Sequence, residues 1–310
     1  MKIGTRGSKL ALIQAQQLVD TLKAKNPGID VEIVIIRTSG DWKPSDGETL
    51  LSEAAGGKGL FAKEIEMALL DRRIDVGVHS LKDVPTFLTP QLSLTHVLKG
   101  KDPRDAFVSD KAGSLDELPA GSVVGTSSMR RKAIVLSRRP DLQVVPLRGN
   151  VDTRLQKMRD GQVDALILAA AGLQRMGLEH EIASYLEPEA MLPAVCQGII
   201  GMEIRVGDRE SAEILDTIHD SPTGMRASAE RSMLAVLDGS CRTPIGSYGQ
   251  WLDDTTMRLR GLVASPNGIE VYHAEETATV KTEEDAYALG LRVGKLLKQK
   301  TPQDYLQVHG

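Results

Sequence analysis

Residues 76–85 read VGVHSLKDVP, and this stretch decides the fold. The run from Ile74 to Val78 reads as a short buried strand, and it delivers His79, Ser80, Lys82 and Asp83 into a loop that Pro85 closes. Just upstream, Leu60 to Leu70 has helical periodicity, and Val31 to Thr38 is a β-branched strand. Nearer the start, Ser8 is placed to cap a helix whose Leu10, Ala11, Ala15, Leu18 and Leu22 share a face, and Asn26-Pro27-Gly28 ends it. Strands alternating with helices in this way predict an α/β domain.

The same alternation resumes after a charged, turn-rich loop, Lys99 to Asp105. Ser122 to Gly125 is a short strand, and Thr126-Ser127-Ser128 caps a helix running to about Arg138. Leu142 to Leu147 is a strand, Asp152 to Arg159 a helix, and Ala165 to Ala169 a buried strand. A second α/β domain follows from this. From Ser221 the pattern changes to a helix (Met225 to Leu237), a cysteine loop, strands at Met257 to Ala264 and Glu270 to Ala274, and a last helix from Glu283 to Lys298. That is a small α+β domain. The expected division is 1–95 with 195–215, 96–194, and 216–310.

A chain of 310 residues with 26% charged and 41% hydrophobic residues has the composition of a globular protein of two or three domains. A net charge of −4 and 3% aromatics argue against a nucleic-acid binder, which needs basic surface and rings for stacking. The first residues, MKIGTRGSKLALIQAQQ, hold no apolar core of signal-peptide length, and the longest apolar stretch, around Ala165 to Leu173, is too short to span a membrane. The two cysteines, Cys196 and Cys241, have no histidine at ligand spacing, so neither a disulfide framework nor a metal site is expected. A reduced, cytoplasmic protein is the reading that fits.

Several groups can carry chemistry. Asp83, at a strand end, can exchange protons or stabilise a cation, although an isolated aspartate is more often a turn or cap residue. Lys82 beside it could be a solvated charge, and His79 a structural histidine. Arg130, Arg131, Arg148 and Arg154 each lie at or near a strand-to-helix junction, and Arg6 holds the equivalent place in the first domain. Arginine binds carboxylates bidentately and stays charged, so this set implies a small polyanion as ligand. Arg138 and Arg139, by contrast, suit the C-terminal end of a helix. GGKGLF (residues 56–61) lacks Walker spacing; its glycines suit either a surface loop or one that carries Lys58 toward a ligand. In LPAVCQGIIGMEIR (192–205), Gln197 could bond a ligand or a backbone group, and Cys196 sits in an apolar context that makes it inert. Cys241, in GSCRTPIGSY, sits on a small-residue loop as a candidate covalent handle.

Taken in order, IGTRGSKLA, GGKGLFAKEIE, VHSLKDVP, DPRDAFVS, GTSSMRR, LRGNVDTRL, AAAGLQRMG, LPAVCQG and GSCRTPIGSY resemble the porphobilinogen deaminase family over most of residues 3 to 250. The resemblance implies an enzyme of tetrapyrrole biosynthesis that joins four porphobilinogen molecules head to tail, loses ammonia at each step and releases hydroxymethylbilane with water. It implies two lobes like those of periplasmic binding proteins plus a smaller third domain, and a monomer. It also implies a dipyrromethane cofactor held by a thioether at Cys241, with Asp83 handling the pyrrole nitrogens and the leaving amine. By the same match, Ser80, Lys82, Thr126, Ser127, Ser128, Arg130, Arg131, Arg148 and Arg154 hold the cofactor. Arg6, Ser8, Lys58, Arg148, Arg154, Arg175 and Gln197 meet the substrate or growing chain. The sequence departs from the family pattern at Cys196, where Gly is usual, at Lys9, where Pro is common, and at Ser240, where Gly is common.

Two α/β lobes with anion-binding loops would also suit a solute-binding protein. That reading has no use for Cys241 or for the third domain that bears it. A purely structural protein would leave the arginines at strand ends unexplained.

Overall fold

The computed structural model describes residues 1–38, 62–237 and 243–306. The first lobe opens with β1 (Lys2–Arg6), α1 (Lys9–Lys25), β2 (Glu32–Ile36), α2 (Lys63–Leu70), β3 (Val76–Ser80) and β4 (Leu92–Val97). The chain then crosses to a second lobe of β5 (Asp105–Val108), β6 (Val123–Gly125), α3 (Met129–Arg138), β7 (Gln143–Val145), α4 (Val151–Arg159), β8 (Ala165–Ala169), α5 (Ala170–Met176) and β9 (Ser184–Leu186). It returns to the first lobe with β10 (Ile200–Arg205) and α6 (Arg209–Asp216). The third domain holds α7 (Ser221–Val236), an antiparallel sheet of β11 (Ile245–Trp251), β12 (Thr256–Ala264) and β13 (Val271–Thr279), then α8 (Glu283–Lys300) and α9 (Gln303–Leu306).

The two lobes share one sheet plan. Their strand orders are β2-β1-β3-β10-β4 and β7-β6-β8-β5-β9, and in each the fourth strand runs antiparallel to the third. In the first lobe that odd strand, β10, arrives only after the whole second lobe. In the second lobe it is β5, coming straight from the first. Two crossings therefore join the lobes, and they lie side by side, with Lys101 N–H donating to the Gly198 carbonyl at 3.1 Å. Gly198 has φ +87°, and a Cβ there would lie 2.6 Å from the Lys101 carbonyl oxygen, so this close approach requires glycine.

Burial explains the elements. In β8, Ala165 and Ile167 face one core cluster while Leu166 and Leu168 face another, so both sides of the strand are covered and its sequence is continuously apolar. α1 buries Ala11, Gln14, Ala15, Leu18, Val19 and Leu22 on one face against Ile3 and Val76 of the first sheet. In the third domain, Met233 of α7 and Val293 and Leu297 of α8 pack on Leu259 and Val263 of β12.

The expected α/β, α/β and α+β units are all present. Some boundaries move. α7 starts at Ser221, capped by Asp220 with Pro222 in its first turn, earlier than its apolar periodicity indicated. β13 extends to Thr279, because its outward positions are polar and hide the strand pattern. β5 begins at Asp105, the last residue of the stretch read as a loop. Among the described residues, no helix is long and apolar enough to cross a membrane.

Candidate active site

The carboxyl ends of β1, β3, β6, β7 and β8 open on one cleft of about 360 Å³ between the lobes, the place where open α/β sheets bind ligands. On the first-lobe side, Arg6 ends β1 and lines the cleft. Ser8 caps α1, its Oγ accepting from the Ala11 N–H at 3.3 Å. Gln14, one turn further along α1, donates through Nε2 to Ser80 Oγ at 2.8 Å. After Ser80 comes a single 3-10 turn, Leu81–Asp83. Its Leu81 N–H donates to the Ile199 carbonyl at 3.0 Å. Arg231 of α7 donates to the carbonyls of Pro85 at 2.8 Å and Thr86 at 3.1 Å, holding the turn from the other side. Asp83 lines the cleft and makes no hydrogen bond or ion pair among the described residues. His79 is a structural histidine: its Nε2 lies 2.9 Å from Glu203 Oε2, both groups buried.

The second lobe contributes the arginines. Ser128 caps α3 by accepting from the Arg131 N–H at 3.4 Å, and Thr126 Oγ1 accepts from the Ser128 N–H at 3.2 Å. Ser127 lines the cleft with a buried hydroxyl that has no partner among the described residues. Arg130 and Arg131, in the first turn of α3, share the fully buried carboxylate of Asp105. Arg130 Nη2 meets Oδ2 at 2.8 Å, and Arg131 meets Oδ1 through Nη2 at 2.7 Å and Nε at 3.1 Å. Burial alone would raise the Asp105 carboxyl, but the two guanidinium groups overcome it and hold the group far below the usual carboxylate range. Arg148, buried after β7, and Arg154, in α4, complete this wall. Arg154 Nε donates to the Gly149 carbonyl at 2.8 Å.

Lys82 joins the two walls. Its Nζ donates to Gln197 Oε1 at 3.3 Å. Burial, reinforced by Arg131 and Arg130 and opposed by Asp83 and Asp105, pushes its pKa down to about 8. Gln197 is fully buried at the rim, with Nε2 donating to the Pro103 carbonyl at 2.7 Å and to Asp105 Oδ1 at 2.9 Å. Cations predominate: Arg6, Lys9, Lys82, Arg130, Arg131, Arg148 and Arg154 line the cleft against Asp83 and Asp152. With Asp105 counted behind them, four positive charges remain in excess among the described residues. Such a cleft binds a compact polycarboxylate, and Asp83 is a carboxylate left available within it.

Of the expected site residues, Arg6, Ser8, Ser80, Lys82, Asp83, Ser127, Ser128, Arg130, Arg131, Arg148, Arg154 and Gln197 come together on this cleft. Thr126 and Arg175 lie behind it. Arg175 Nη2 donates to the Gly198 carbonyl at 2.8 Å, and burial pushes its pKa down to about 10. Lys58 and Cys241 lie outside the described residues, although Thr243 and Ile245, just after Cys241, line the cleft. Gln14 and Asp105 were not singled out from the sequence.

Cys196 is buried, and burial pushes its thiol pKa up, which disfavours the reactive thiolate. Its φ of +59° lies in the left-handed region. That backbone favours glycine, which gives a physical reason for the family's usual Gly at this position.

Among solved structures, the chain is similar to the VFT2 domain of Bordetella pertussis BvgS, at 17% identity and a TM-score of 0.40 over 70% of this chain and 85% of that one. It is also similar to a putative methionine-binding lipoprotein from Bacillus subtilis, at 11% identity and a TM-score of 0.43 over 72% of this chain and 91% of that one. Residues 1–213 match the family model described as porphobilinogen deaminase, dipyromethane cofactor binding domain. Residues 225–299 match that of the porphobilinogen deaminase C-terminal domain. With these two matches in order along the chain, it belongs to the porphobilinogen deaminase family.

Proposed function

We propose that this cleft is the porphobilinogen-condensing site, with Asp83 as its proton-handling and cation-stabilising residue, the arginine wall as its carboxylate clamp, and Cys241 as the cofactor anchor. Family membership gives the reaction: a hydroxymethylbilane synthase that polymerises porphobilinogen to hydroxymethylbilane in tetrapyrrole biosynthesis, with a dipyrromethane cofactor. The observation that carries the site reading is the cleft's composition, an available carboxylate facing an excess of fixed cations.

The residues fit the cofactor. Two pyrrole units carry four carboxylates, which suits a cleft lined mainly by cations, and the Ser127 hydroxyl, without a partner among the described residues, offers one more donor. Lys82, Ser80, Ser127, Ser128, Arg130, Arg131, Arg148 and Arg154 would hold it, with Thr126 supporting the Ser128 cap. When bound, the dipyrromethane supplies the pyrrole carbon from which the chain is extended. Arg6, Ser8, Lys58, Arg148, Arg154, Arg175 and Gln197 are assigned to substrate and product chain. For Arg175, behind the cleft, and Gln197, at its rim, both hydrogen-bonded within the protein, that contribution is support of the site.

Asp83 acts on the substrate's charge. As ammonia leaves porphobilinogen, positive charge develops on a pyrrole, and a carboxylate at hydrogen-bond distance from the pyrrole N–H stabilises it and can move protons. The arginines hold the acetate and propionate groups and so fix where that charge develops. The domain limits that follow are 1–95 with 195–215, 96–194, and 216–310, in a monomer of the cytoplasm.

Asp83→Asn tests the assignment. The variant should keep its fold and cofactor while porphobilinogen consumption falls by at least about 100-fold. Near-normal turnover would remove Asp83 from the chemistry.

A further inference from the structure

The cofactor and substrate assignments above leave one buried group without a role. Asp105 is fully buried and does not line the cleft, yet four side-chain N–H donors converge on it. Oδ1 accepts from Arg131 Nε, Arg131 Nη2 and Gln197 Nε2, and Oδ2 accepts from Arg130 Nη2.

This pattern fixes Arg131 and Gln197 at once. Arg131 is gripped along one edge, so its guanidinium plane is set and its Nη1 is left over. Gln197 is held with its NH2 toward three acceptors, Asp105 Oδ1 and the carbonyls of Pro103 and Arg104. Its oxygen is thereby turned toward Lys82 Nζ, which needs an acceptor. Gln197 also touches all three domains. Its side chain bonds Lys82 of the first lobe and Asp105 of the second, and its carbonyl accepts from Arg226 of α7 at 2.9 Å. Arg226 is locked in turn by Glu230 at 2.7 Å.

We propose that Asp105 and Gln197 are positioning residues, which hold Arg131 and Lys82 in their carboxylate-binding poses without touching the ligand. The proposal rests on the site reading given above and adds how that site is pre-organised. A buried network of this kind acts as a unit, because an amide or carboxylate lost from it leaves donors unsatisfied. Gln197 therefore exerts its effect on the ligand through Lys82, and this distinguishes it from a direct contact.

A double-mutant cycle reads that difference. Lys82→Met, Gln197→Met and the double variant are prepared as holoenzymes. KM and kcat for porphobilinogen are measured, with the fraction of chain carrying two pyrrole units taken from intact mass. Gln197→Met should raise KM or lower loading by about tenfold, with a smaller effect on kcat because Asp83 is untouched. Adding it to Lys82→Met should change little further. Asp105→Glu should recover part of the loading that Asp105→Asn loses. Additive effects of Lys82→Met and Gln197→Met, or a Gln197→Met protein with unchanged KM and loading, overturn the proposal whatever the melting temperatures. If Asp105→Asn does not fold, the cycle at Lys82 and Gln197 still decides. A wild-type protein that neither loads nor turns over would instead mean that the site reading itself has failed.

Discussion

Lys82, the neighbour of Asp83, gives the site a pH dependence. Lys82 binds carboxylates only while protonated, and its pKa is down at about 8. Uptake of porphobilinogen by the apo-protein should therefore slow as pH rises through about 8. Lys82→Met should be slower at pH 7 and lack that alkaline limb; a limb that persists would assign it to another group. For folding the sign is reversed. Unfolded Lys82 keeps its proton up to about 10.5, so the native apo-protein binds fewer protons between about 8 and 10.5. The cost of burying the ammonium is present below pH 8 and fades across that window. Arg131→Leu should leave Asp105 with one cation and a bound carboxylate unpaired, costing about 2–5 kcal/mol of ligand binding, read as impaired cofactor loading. Asp83 could be picked out because it follows a strand and matches a family motif, and Arg131 because it lies near a strand-to-helix junction; both line the cleft. Asp105 was missed because its role depends on Arg130, Arg131 and Gln197 meeting it in space, and a single aspartate in DPRDAFVS does not reveal that.

At the scale of elements, short helices and turns aim these groups. α3 is held at its start by Ser128, and Ser128→Ala should cost about 1 kcal/mol in denaturant unfolding, with a parallel loss of cofactor loading as Arg130 and Arg131 lose their fixed turn. α7 braces the crossings. The buried Glu230 accepts from Arg226 Nε, from the Cys196 N–H at 2.5 Å and from the Gly249 N–H at 2.9 Å. Glu230→Gln leaves Arg226 as an uncompensated buried charge and should cost about 3–5 kcal/mol, read as a lower urea midpoint. The helices and parallel strands were legible because burial writes a period of 3.6 or an unbroken apolar run, as in ALILA of β8. β5 was not, since four residues carry no period. The pairing of β10 with β3 and β4 was also hidden, because partners so far apart along the chain leave no local pattern.

At the scale of the molecule, two lobes meet over a charged cleft and a third domain pins the crossings beneath it. Across the cleft, Lys9 Nζ lies 3.6 Å from Asp152 Oδ2, and both side chains are more than half exposed. Lys9 stands where the family pattern commonly has Pro. A pair so exposed contributes less than about 1 kcal/mol and is screened by salt. Lys9→Met should therefore shift the melting temperature by only a few degrees; a large loss would make the pair a structural clamp between the lobes. The family was legible from the order of its motifs. On the proposed reading, Cys241 anchors a dipyrromethane from which the chain grows, while the buried Cys196 stays unmodified. Intact mass of the purified protein tests it most directly. The mass should be higher by two pyrrole units, an increment lost in Cys241→Ala and kept in Cys196→Ala. A fully active protein of unmodified mass, or an adduct that survives Cys241→Ala, would contradict it.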